Sequence, residues 1–234
     1  MQLLLWLTTV ILIFVSNYII FMVVPNEKVM GAVQRIFYFH VSSAFAAYIS
    51  LGVLLFSSIA YLANSSSTDA VYKKKADRAY SVISASSEVA LLFCLIVLAT
   101  GMIWGHAAWN VIFRWEPRLV SFLVLTLILL GFPLLRSFGS QVQTKTHAAI
   151  LGIISAINVP IVIFSIKLLP QSHQLHPEVV GNRGLKHASY YWGFGISTLA
   201  MICLSISLIW LAAQVVQLRL EGQGLQKNKG VIDG

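Results

Sequence analysis

The sequence predicts an all-α membrane protein with six transmembrane helices and a tryptophan-rich connector on the outer face. Of its 234 residues, 58% are hydrophobic and only 10% are charged, and the mean hydropathy is +0.81. Soluble domains carry about 25% charged residues. The charged residues also fall in the breaks between long apolar runs, which is the pattern expected when those runs cross a bilayer.

Six apolar runs are long enough to cross a bilayer, which takes roughly 20 residues. The first is longer than the core of a signal peptide and has no basic start, so we expect it to be retained. The fourth is short but carries no charge, and Asn158-Val159-Pro160 is expected to break or kink the fifth. The predicted spans are residues 3–24, 36–62, 80–103, 119–135, 148–169 and 188–216.

The predicted organisation is one membrane domain over residues 1–218, followed by a polar, loosely ordered cytoplasmic tail over residues 219–234. The net charge of +8 lies in short connectors. That placement suits anionic lipid headgroups and does not indicate nucleic-acid binding. Cys94 and Cys203 lie in separate apolar runs, so the sequence predicts neither a thiol redox pair nor a covalent cofactor link.

Connector charge predicts the orientation. Connectors on the N-terminal side of the membrane hold nine Lys and Arg residues and the others hold seven, and the basic run at 73–78 dominates the difference. We therefore expect both termini in the cytoplasm and the odd-numbered connectors outside. With six spans, connectors 1–2, 3–4 and 5–6 must share one face. That face would bring together His40, the tryptophan-rich segment and the histidines of the last connector.

His40 lies near the start of the second span, where an ionisable side chain is costly and usually faces the bundle or a wet cavity. A neutral structural imidazole and a functional one are both compatible with this residue alone. His173 and His176 fall in the last connector, between two prolines that make a regular helix unlikely to form there. Clean zinc-ligand spacing is missing around them. One of the two could instead pair with His40 as the axial imidazoles of a haem iron.

The segment 104–118 gathers three of the six tryptophans into the third connector. An aromatic belt is the structural alternative, since tryptophan favours the membrane interface. Belt tryptophans are normally spread over many span ends, so the cluster favours an apolar platform for a flat ligand with an anionic edge. Arg114 or Arg118 would then pair with that edge. The candidate residues are Trp104, Gly105, Trp109, Arg114, Trp115, Glu116 and Arg118.

These residues resemble the tryptophan-rich "WWD" signature of the haem-handling proteins of cytochrome c maturation. The resemblance rests on Trp104-Gly105, Trp109 and Trp115-Glu116-Pro117-Arg118-Leu119. Within that group the chain is most similar to the six-span haem exporter protein C (CcmC) family, through Arg35 to Ala44, Asn158 to Ser165 and Leu175-His176-Pro177. It departs from the signature at Glu116-Pro117, where an aspartate is usual, and it has the additional His173.

The resemblance implies a non-enzymatic, haem-binding and haem-delivery subunit of a bacterial inner membrane or its organelle equivalent. It implies that His40 and His176 are the axial ligands of a non-covalently bound haem b, cradled by segment 104–118. It also implies the complex partners CcmA, CcmB and CcmD and transfer of haem to the chaperone CcmE, in contact with membrane lipid.

Three other function classes remain open from the residues. One is a purely structural role within a complex, with the tryptophan cluster as a docking surface. A membrane b-type cytochrome would normally need four histidines inside its spans, and only His40 lies at that depth. A proton-coupled small-molecule transporter would use Glu88, which costs about 2.5–3.5 kcal/mol at the centre of a span. A polar contact between helices or a protonated acid is the simpler interpretation of Glu88.

Overall fold

The computed structural model describes residues 2–138, 141–165 and 188–232. Over these ranges the chain forms six long helices. They are α1 (Gln2–Tyr18), α2 (Ile36–Ser65), α3 (Ala70–Trp109), α4 (Pro117–Phe138), α5 (Gln141–Phe164) and α6 (Ala188–Ile232). A π-helical turn, Ile19–Val23, continues α1, and a 3-10 turn, Ala32–Arg35, leads into α2.

All six helices contain a stretch long and apolar enough to cross a membrane, so the prediction of a six-span all-α protein is confirmed. Three boundaries differ from those expected. Helix α3 already includes the basic run at 73–75, because Asp69 caps it by accepting the Val71 N–H at 2.7 Å. Helix α5 runs unbroken through Pro160. Helix α6 continues beyond Arg219, through most of the segment expected to be a loosely ordered tail.

Helix α2 is the central element and packs against α3, α5 and α6, while α1 packs on α6 and α4 on α3 and α5. Small side chains make these approaches close, as is usual between membrane helices. A Cβ at Gly152 of α5, for example, would overlap the hydroxyl of Ser58 in α2. Several buried serines donate their hydroxyl protons to their own helix, as Ser50 does to the Ala46 carbonyl at 2.8 Å. Polar groups are thereby accommodated in the core without charge.

Candidate functional site

His40 of α2 packs against the last turns of α3. Its Nδ1 lies 3.0 Å from the hydroxyl oxygen of Thr100. A Cβ built on the next residue, Gly101, would lie 3.0 Å from the His40 Cε1. The imidazole is therefore seated in a gap that α3 leaves by having glycine at this position. Sequence reasoning identified His40 but neither Thr100 nor Gly101, and the only signal was their position one turn before Trp104-Gly105.

Arg118, in the first turn of α4, acts electrostatically on the His40 imidazole and on the Tyr48 hydroxyl, both carried by α2. The start of α2, the end of α3 and the start of α4 therefore meet at one end of the bundle. The N-terminal part of α6 joins them, because the Ser42 hydroxyl lies 2.8 Å from that of Ser197. This is the convergence that the parity of six spans predicts for His40 and segment 104–118. His173 and His176 lie outside the described residues.

Segment 104–118 is only partly a connector, which corrects the expectation drawn from its composition. Trp104, Gly105 and Trp109 belong to the last turns of α3, and the helix ends at Asn110, whose φ of 55° is left-handed. Asparagine tolerates that conformation better than other residues with a side chain. A Cβ on Gly105 would lie 3.3 Å from the Val111 carbonyl oxygen. Glycine therefore lets the chain fold back closely over the helix end.

The aromatic side chains of this segment form two perpendicular ring pairs. The Trp104 and Trp109 rings are 4.9 Å apart at 83°, and the Phe113 and Trp115 rings are 5.4 Å apart at 81°. The first pair is half-buried against the end of α3, whereas Trp115 is 82% exposed. The two pairs thus offer a protected apolar wall and an exposed aromatic edge.

The Glu116-Pro117 departure from the signature has a local structural explanation. Pro117 is the first residue of α4, a position where its fixed φ suits the helix and its missing N–H costs nothing. The Glu116 carbonyl accepts the Val120 N–H at 2.9 Å. Its carboxylate is buried, 3.4 Å from the Arg114 Nε, and lies at the positive end of the helix dipole. Arg114 is thereby occupied by Glu116, while Arg118 acts electrostatically on His40.

Glu88 lies in the N-terminal half of α3 and makes the polar helix contact expected of it. Its carboxylate pairs with Arg136 of α4 at 2.5 Å and is about half exposed. A second ion pair nearby joins Lys145 to Asp77 at 2.7 Å. A cavity of about 750 Å³ opens beside these groups, between α3 and α6, with Arg219 on its wall. This cavity is remote from His40, and paired charges rather than an isolated acid line it.

Comparison with known proteins now decides the family. The sequence model of the family "Heme exporter protein C" matches residues 1–227. The chain belongs to this family. It is 30% identical over 152 residues to Heme exporter protein C of Bradyrhizobium diazoefficiens, covering 64% of this chain and 54% of that protein. It is 29% identical over 154 residues to the Escherichia coli K12 protein of the same name, covering 64% of this chain and 58% of that protein.

A third relative, Heme exporter protein C of Paracoccus denitrificans, is 32% identical over 108 residues, or 46% of this chain and 41% of that protein. The matched region thus spans about half the length of these curated relatives. The family match and the six apolar helices together establish a multi-pass membrane protein of the haem exporter type.

Proposed function

We propose that this protein binds haem b non-covalently at the His40 end of the bundle and delivers it during the biogenesis of c-type cytochromes. The observation that carries the proposal is the placement of His40, held by α3 at the end where Arg118 and the Trp104–Trp109 pair also lie. The family name supplies the ligand class. The protein's task is then to bind, orient and release haem, with no catalytic step of its own.

The residues at this end fit a haem. Imidazole is a common axial ligand of haem iron, and His40 provides one. The Trp104–Trp109 pair offers an apolar wall for the macrocycle that excludes water. The propionates need cations, and Arg118 is one candidate. Arg35 is another, since its buried Nε has no hydrogen-bond partner among the described residues. Arg114 is less suited, because it already pairs with Glu116.

The second axial ligand in this proposal is His176, with His173 as the alternative in the same connector. The proposed pocket residues around the two ligands are Trp104, Gly105, Trp109, Arg114, Trp115, Glu116 and Arg118. Because the sequence predicts His176 in a connector and not inside a span, we propose it as the ligand that leaves when haem is handed on. His40, inside the bundle, is the ligand that orients the iron.

The proposal places the site on the outer face of a bacterial inner membrane or its organelle equivalent, with both termini in the cytoplasm. Energy from ATP must come from a partner, for which CcmA is proposed, with CcmB and CcmD as the other membrane partners and CcmE as the chaperone that receives haem. The exposed Trp115, just before α4, and the exposed Trp192, near the start of α6, suit such a protein contact or membrane lipid.

The ligand assignment is tested by the absorption spectrum and haem content of the purified protein. His40→Ala and His176→Ala are each expected to lower co-purifying haem and to abolish the spectrum of a bis-imidazole haem. His147→Ala is the matched control, because His147 is exposed at the start of α5, away from the site. Unchanged haem content in both ligand variants would contradict the assignment. Loss of haem in His173→Ala but not in His176→Ala would identify His173 as the second ligand.

A further inference from the structure

The Thr100 hydroxyl has three potential hydrogen-bond partners at different distances. Its Oγ1 lies 2.7 Å from the Ile96 carbonyl oxygen, 3.2 Å from the Val97 carbonyl oxygen and 3.0 Å from the His40 Nδ1. A hydroxyl has one proton to donate and two lone pairs to accept with. A carbonyl oxygen can only accept, so the hydroxyl proton goes to the helix, as is common for threonine in membrane helices.

The proton in the third contact must therefore come from the imidazole. With the Thr100 hydroxyl already donating to Ile96, the 3.0 Å contact is a hydrogen bond only if the His40 Nδ1 carries a proton. The Val97 carbonyl is a second hydrogen-bond acceptor for the same ring. In a neutral imidazole one nitrogen is protonated and the other bears the lone pair. Nε2 is consequently the nitrogen with the lone pair that a metal requires.

The packing of His40 against Gly101 also favours the orientation in which Nε2 is available to a metal. A Cβ built on Gly101 would lie 3.0 Å from Cε1, 3.5 Å from Nδ1 and 4.0 Å from Nε2 of His40. The edge with Cε1 and Nδ1 thus faces α3, and Nε2 is the most distant of the three atoms. Hydrogen bonding and packing, which are independent observations, agree on the nitrogen that points away from α3.

We infer that Thr100 is a positioning residue for haem: it fixes the tautomer and orientation of His40 so that Nε2 is the iron ligand. The inference rests on the proposed haem function and names a residue that supports it. Metal-ligating histidines usually donate their other ring N–H to an acceptor such as a carboxylate, a backbone carbonyl or water, which also raises the basicity of the ligand. A hydroxyl is a neutral acceptor and raises basicity less than a carboxylate does. This suits an iron ligand that must later release its haem.

The test compares Thr100→Val, which removes the acceptor but keeps the shape, with Thr100→Ser, which keeps the hydroxyl. Haem affinity of the purified protein is measured by transfer of haem to apomyoglobin. Thr100→Val is expected to bind haem about 10–100-fold more weakly, and Thr100→Ser to stay near wild type. Thr126→Val is the control, because Thr126 is a buried threonine that bonds its own helix in α4. We expect that variant to keep wild-type affinity.

The midpoint potential of the retained haem separates positioning from simple damage to the fold. Thr100→Val removes one of the two acceptors of the ring N–H, so His40 donates less electron density to iron and the potential in Thr100→Val should rise. A structural defect would reduce the amount of bound haem and leave its potential unchanged. Wild-type affinity and potential in Thr100→Val, or equal losses in the Val and Ser variants, would overturn the inference. Failure of the wild-type protein to bind haem would overturn the proposed function itself, which is a different result.

Discussion

The two halves of α3 hold polar side chains in opposite ways. In the C-terminal half, Thr100 and Gly101 seat His40 through one directed hydrogen bond and one close contact. In the N-terminal half, Ser84 and Glu88 both bind Arg136, and Asp77 pairs with Lys145 of α5. The N-terminal half joins helices through paired charges. The C-terminal half fixes a ring in one orientation, and a polar group placed in that way is suited to bind a ligand.

Burial reinforces this difference. The Glu88 side chain is 51% exposed, so its pair with Arg136 is screened and of modest strength. The carboxylate of Glu116, at the His40 end, is only 6% exposed, so removal of Arg114 would leave a buried charge without this ion pair. An ionisable residue in an apolar run is therefore not by itself a functional residue. Whether such a residue is functional depends on its interaction partner and on its solvent exposure, and both are set by the packing of the helices.

Among the variants that test this difference, Gly101→Ala is expected to have the largest effect on haem binding. The added Cβ would lie 3.0 Å from the His40 Cε1, so the ring must move away from Thr100 or tilt. Displacing a supporting contact of a metal ligand typically costs about 10–100-fold in affinity, and we expect haem binding to fall in that range. The measurement is haem titration of the purified variant.

Gly195→Ala provides the matched control for that variant. A Cβ at Gly195 of α6 meets nothing within 4 Å, although the residue lies near the same end of the bundle. Alanine in a helix interior is about 0.5–1 kcal/mol more favourable than glycine, so this variant should be at least as stable as wild type. Equal haem loss in the two variants would contradict a specific contact between Gly101 and His40.

An intermediate effect is expected when the two arginines of the segment are compared. Arg118→Gln should weaken haem binding by about tenfold, because a charge-assisted hydrogen bond is worth about 1.5–3 kcal/mol. Arg114→Gln should weaken it less, since Arg114 is paired with Glu116 and is 40% exposed. Haem titration of both variants tests the order. A greater loss in Arg114→Gln would mean that Glu116 releases Arg114 to the ligand.

Much of this arrangement could be predicted because it depends on hydropathy and parity alone. Six apolar runs place segment 104–118 and His40 at one end, whatever the details of packing. The division of that segment was not predictable, because Trp104 and Trp109 look the same in a connector and in a helix. Only the left-handed Asn110 marks the end of α3, seven residues before α4 begins at Pro117.

Thr100 and Gly101 illustrate a different limit. Both residue types are common where membrane helices approach each other, so neither stands out in an apolar run. Their role depends on the register between α2 and α3, which places His40 beside them. The sequence likewise predicts Arg136 in a connector, since it does not reveal that this long side chain reaches back to Glu88.

The smallest effect is expected in the N-terminal half of α3, from Glu88→Gln. Removing one member of a half-exposed ion pair typically changes stability by about 0–1 kcal/mol, and thermal unfolding of the purified protein should show a shift of that size. Haem affinity should remain at the wild-type value, because no step of the proposed function uses Glu88. Arg136→Met is the complementary variant and should behave alike, since it removes the other half of the same pair. If Glu88→Gln lost haem as completely as His40→Ala, the region around Glu88 would be energetically coupled to the His40 site. Proton-dependent substrate uptake lost in the same variant would instead favour the transporter alternative.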